Sequence, residues 1–193
     1  MLLAKMLLPL ILAGGTSARE ADPYDSALTA AVHHFAREGQ LEYLRAILDK
    51  HPQLVDALEP FPPGHKPYAT EGYTPLDWAA SNGHEAAAKY LIRRGARVNA
   101  VVADEWTPLL LAAREGHLGV VRLLVEHGAD LNVRTEAKPE TSSDALPGLP
   151  GSPGPGAAEP RKIFRAIPSR TPLDWAVAMG HVKVVDYLKS LKK

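Results

Sequence analysis

The sequence predicts an all-α solenoid of helix-turn-helix units, and three observations predict it. The block Glu71-Gly72-Tyr73-Thr74-Pro75-Leu76-Asp77-Trp78-Ala79-Ala80-Ser81-Asn82-Gly83-His84 recurs from Asp104 to His117, so that Thr74 maps onto Thr107 at an offset of 33. A shorter copy runs from Arg170 to His181. Every copy opens on Thr-Pro, a helix start, and closes on Gly-His, a helix stop, which is the grammar of short stacked helices. With 46% hydrophobic and 23% charged residues, the chain also has an ordinary globular balance, enough to bury a shared core.

Residues 1–18 come first. Lys5 precedes the apolar run Met6 to Ala13, and Thr16-Ser17-Ala18 supplies small residues before Arg19-Glu20. That order reads as a signal peptide cut after Ala18. As a helix the run from Met1 to Ala13 is about 20 Å long, short of a bilayer core of about 30 Å. Export to a secreted or periplasmic location is therefore expected, with no membrane span in the mature form. The alternative is a cytoplasmic protein whose first residues are an extension or lie upstream of the true start.

The first unit, about residues 25–56, is degenerate: Gly39 aligns with Gly83, and Leu41 to Leu48 match Glu85 to Ile92. The second and third units, 69–101 and 102–133, start at the N-caps Thr74 and Thr107, each with proline next. Asp77, three residues after its threonine, completes a capping box, as does Asp174 after Thr171 in the fourth unit, 166–193. Gly83, Gly116 and Gly180 end the first helices in a left-handed turn. The second helices then carry apolar stripes: Ala88, Leu91 and Ile92; Val120, Val121, Leu123 and Leu124; Val184, Val185 and Leu188. Two insertions, 57–68 and 134–165, fall at the same place in the repeat and so leave from one edge. The proline and glycine run from Pro147 to Gly156 favours an extended tether over helix or strand.

Thr-Pro-Leu, Ala-Ala, Gly-His and Gly-Ala at fixed spacing within 33 residues resemble the ankyrin repeat. The resemblance covers 69–133 and 166–193 strongly and 24–56 weakly. It departs at Asp77, Leu110 and Asp174, where the family has histidine, and at Glu105 and Ser169, where it has glycine. It implies an ankyrin-repeat solenoid with finger loops and a protein partner on the concave surface. By that carry-over, Tyr73, Asp104, Trp106 and Arg170 stand by the loop tips. Ser81, Asn82, Arg114, Glu115 and Met179 stand at the concave end of the first helices. Exposed tyrosine, tryptophan and arginine in successive units are the residue mix of interface hot spots. Trp78 and Trp175 align with Leu111 at a position the family buries and are expected in the core.

Other functions find less in the sequence. Lys plus Arg and Asp plus Glu number 22 each, so the formal charge is zero and gives no general pull toward nucleic acid. The absence of cysteine removes thiol nucleophiles and Cys-zinc sites. His84, His117 and His181 sit at equivalent repeat positions, about 10 Å apart when stacked, and cannot share an ion whose ligands lie about 4 Å from one another. His33 occupies the family's structural-histidine position. No zinc-protease, nucleophile-elbow or phosphate-loop motif occurs. The expectation is a monomeric, non-catalytic protein-binding module without cofactor or metal. The alternative is a small-ligand or enzyme-accessory site made by the insertions, using Glu59 and His65.

Overall fold

The computed structural model describes residues 23–59, 72–102, 105–135, 138–139, 166–167 and 169–191, with side chains from Ser26 onward except at 138–139 and 166–167. Among them are eight α-helices in four antiparallel pairs: α1 (Pro23–Arg37) with α2 (Leu41–Leu48), α3 (Pro75–Ser81) with α4 (Glu85–Arg93), α5 (Pro108–Glu115) with α6 (Leu118–Glu126), and α7 (Pro172–Ala178) with α8 (Val182–Ser190). The first helices α1, α3, α5 and α7 pack side by side in chain order, and the second helices form a parallel row behind them. The all-α solenoid expected from the repeat is the fold observed. Residues 1–18, expected to be a signal peptide, the Pro147–Gly156 run, His65 and Asp104 lie outside the described residues.

Local chemistry starts and stops each helix. Thr74 Oγ1 accepts from the Asp77 backbone N–H at 3.2 Å, while Asp77 Oδ2 accepts from Thr74 N at 2.9 Å. Thr171 and Asp174 repeat this box at 3.2 and 3.0 Å. Thr107 caps Leu110 N alone, because leucine stands where the acid would. Gly83, Gly116 and Gly180 turn the chain at φ of +74°, +81° and +78°. One apolar core runs through all four pairs, from Val32 and Leu44 through Leu76, Leu91, Leu109 and Leu124 to Ala176 and Leu188. Units this small bury little alone, so their stability comes from neighbours.

The histidines serve the stacking. His84 Nε2 lies 2.7 Å from the Arg37 carbonyl, His117 Nε2 3.0 Å from that of Ser81, and His181 Nε2 2.8 Å from that of Arg114. Each ring thus bridges to the last turn of the preceding unit's first helix. His33 Nε2 reaches the carbonyls of Ala57 and Tyr73 at 2.9 and 3.0 Å. Among the described residues no group of histidines and acids is placed to hold a metal ion.

All three junctions between units close with one backbone hydrogen bond, whatever the length of chain between its ends. Glu59 N donates to Tyr73 O at 3.0 Å, Val102 N to Trp106 O at 2.9 Å and Thr135 N to Arg170 O at 3.1 Å. The third closure is extended by a two-residue antiparallel ladder, β1 (Lys138–Pro139) with β2 (Ala166–Ile167). Each doubling of a loop adds only about 0.6 kcal/mol of closure entropy, so a long excursion from a closed base is cheap. Deleting residues 140–159 is therefore expected to keep the cooperative thermal transition, and its loss would show that the insertion is structural.

At the far end, Val177 occupies the place of Ala80 and Ala113. Those alanines are fully buried by the next unit, whereas Val177 is 56% exposed and Val182 66%. Among the described residues nothing packs on this face.

Candidate functional site

The closing bonds put Tyr73, Trp106 and Arg170 at the root of successive finger loops, directly before the helix-capping threonines. The first helices present their last-turn residues beside them. Arg37 and Arg114 hold equivalent places there, two residues before Gly39 and Gly116. Each faces a tryptophan of the following unit, Trp78 or Trp175.

Between units one and two the cluster is closed upon itself. The Arg37 guanidinium carbon lies 3.6 Å from the centre of the Trp78 ring, and Tyr73 meets the same indole in a tilted contact at 5.0 Å between centroids. Trp78 Nε1 donates to Glu59 Oε2 at 2.8 Å, and Glu59 Oε1 is 3.7 Å from Arg37 Nη2. Ring and carboxylate satisfy one another, while Arg37 Nε is buried without a hydrogen-bond partner among the described residues. Cation–π contacts of this kind contribute about 0.5–2 kcal/mol, more as water is excluded.

Between units three and four the same frame is richer in cations. Trp106 and Trp175 lie 5.2 Å apart. Arg114 stands 5.4 Å from the first ring and 5.7 Å from the second, and Arg170 stands 4.8 Å from Trp175. Arg114 Nε is 3.5 Å from Glu115 Oε1. Among the described residues no carboxylate comes within 4 Å of Arg170. Trp175 is buried, and among the described residues its Nε1 has no acceptor.

Four of the residues expected at the site, Trp106, Arg114, Glu115 and Arg170, thus meet in one cluster, and Tyr73 belongs to the other. Ser81 lies between the two, its carbonyl engaged by His117. Asn82 is exposed and caps its own helix through Trp78 O at 2.9 Å. Met179 is 41% exposed at the uncovered end, beside Val177. The expected burial of Trp175 and Leu111 is observed, but Trp78 is only half-buried and faces Arg37. Sequence reasoning passed over Arg37, although its register with Arg114 relative to the closing glycine marks it. Glu59, a candidate for a ligand site, is engaged by Trp78 and Arg37.

Comparison with protein-family models places these units. A three-copy ankyrin-repeat model matches residues 3–101 and 51–135, and a single ankyrin-repeat model matches 169–190. The chain belongs to the ankyrin-repeat family. Comparison with curated proteins gives no match. Ankyrin repeats are generally protein–protein interaction modules, and the family is generally non-catalytic. Among the described residues no helix of this ankyrin-repeat protein is long and apolar enough to cross a membrane.

Proposed function

We propose that this ankyrin-repeat protein is a non-catalytic, monomeric module that binds a protein partner on the face made by its first helices and finger-loop roots. The observation that carries the reading is the Trp106–Trp175–Arg114–Arg170 cluster. Aromatic rings and guanidiniums gathered at one loop edge are the anchors that dominate interfaces elsewhere. Affinity capture from the natural source tests it, with the mature protein beside a Tyr73→Ala, Trp106→Ala, Arg114→Ala variant shown to be folded by circular dichroism. A protein retained by the first and lost by the second is the expected result. Equal retention by both removes the site from this face.

The partner is met outside the cytoplasm in this reading, because residues 1–18 have the order of a cleavable signal peptide. N-terminal sequencing of the natural protein then returns Arg19 as the first residue. A chain beginning at Met1 places it in the cytoplasm instead.

A further inference from the structure

The two arginine–tryptophan clusters occupy equivalent positions in the repeat, and only in the first does a carboxylate accept from the indole N–H. In the first, Glu59 accepts from the indole N–H and lies beside the arginine, so the chain itself demonstrates what this frame binds. In the second, the ring, the arginine and the buried indole N–H are all present. Arg170 adds a second guanidinium over the ring, and among the described residues Nε1 has no acceptor. A buried donor left unmet is a standing cost that an incoming acceptor removes, and the bond formed to a charged oxygen is stronger than a neutral one. Glu115 does not fill the role, since it approaches Arg114 Nε at 3.5 Å without reaching the indole.

Resting on the binding reading above, we infer that the Arg114–Trp175–Arg170 cluster is a carboxylate-binding subsite that takes an aspartate or glutamate side chain of the protein partner. The carboxylate takes the role that the Glu59 side chain has in the first cluster, since Thr135, at the matching loop position, spends its Oγ1 on Arg170 N and offers no carboxylate. One oxygen accepts from Trp175 Nε1 and the other faces a guanidinium. Trp106, in tilted contact with Trp175, forms an apolar wall for the stem of the acidic residue. Nε1 is shielded in the free protein, so entry requires an arginine lying over the ring to change rotamer. Long arginine side chains do this readily.

The indole N–H resonances of the three tryptophans, assigned with single Trp→Phe variants, read the site directly in a two-dimensional 1H–15N spectrum. Hexaglutamate is titrated into the full chain, with hexaglutamine and inorganic phosphate as parallel probes at matched ionic strength. The expected result is a saturable shift of the Trp175 resonance with hexaglutamate alone, while that of Trp78, already bonded to Glu59, stays in place. Arg170→Gln is expected to weaken the hexaglutamate response about tenfold. An equal response to hexaglutamine overturns carboxylate recognition, and an equal response to phosphate replaces it with a general anion site. The same spectrum of a chain lacking residues 140–159 separates the source of the acid. A Trp175 resonance unmoved by that deletion fits a partner's carboxylate, and one that moves assigns the acid to the chain itself and overturns the proposal. Failure with hexaglutamate while capture by the first-helix face persists refutes the subsite and leaves the binding reading standing.

Discussion

Gly116→Ala is expected to destabilise the protein by about 3–4 kcal/mol, whereas Gly180→Ala, at the equivalent position one unit later, costs only about 1–2 kcal/mol. Both glycines end a first helix in the left-handed region, at φ of +81° and +78°, so the backbone cost of a β-carbon is the same at both. Their surroundings are not. A β-carbon on Gly116 would lie 2.5 Å from His181 Nδ1 and 2.7 Å from two ring carbons, while one on Gly180 meets nothing within 4 Å. The imidazole must move, and with it goes the bond from Nε2 to the Arg114 carbonyl that ties unit four to unit three. Urea unfolding followed by circular dichroism checks this. Because stability in stacked repeats is a sum of units and interfaces, the Gly116 variant is also expected to lose the last unit at lower urea than the rest. Equal losses in the two variants would sink the claim that the histidine contact, rather than the backbone, makes Gly116 indispensable.

What could be read from the sequence follows from how far apart the interacting residues lie. Caps, boxes and left-handed turns join residues three or four positions apart, so Thr74 with Asp77 and Gly83 with His84 announced the helices by themselves. The stacking itself was legible because a period of 33 residues repeats the same faces in register. The two clusters were not. Arg37, Glu59 and Trp78 come from a helix end, a loop and the next unit, and the residues between 59 and 73 give no local sign of the closure that joins them. Trp78 and Trp175 stand in the same five residues, Pro-Leu-Asp-Trp-Ala, yet one indole N–H finds a carboxylate and the other does not. The difference lies in the preceding loop. Local sequence fixes where such a ring is placed, and a distant segment decides what it meets.

Asp77 shows the same dependence on context, with a measurable consequence in the pH dependence of stability. Asp174, in the identical pentapeptide of the last unit, is exposed, whereas Asp77 is fully buried beneath its neighbours. Burial pushes the Asp77 carboxyl up to about 7, against the opposing pull of the bonds from Thr74, with Asp56 raising it further and Arg97 lowering it. Oδ2 takes both Thr74 donors, while Oδ1 is buried without a partner among the described residues, which adds to the cost of carrying the charge. The folded state therefore holds a proton that the unfolded chain, with an ordinary carboxyl near pH 4, has released. This contribution to stability is complete below the unfolded value and declines as pH rises through 7. Between pH 5.5 and 8 it amounts to about 2 kcal/mol. Asp77→Asn keeps an oxygen for Thr74 but carries no titrating group, so its unfolding free energy is expected to fall less over that interval, by the same 2 kcal/mol. Subtracting the variant's curve from that of the natural sequence cancels the pH-dependent contributions common to both proteins. Parallel curves would mean that Asp77 is ionised in the fold at neutral pH and that the cap, not the proton, sets its energy.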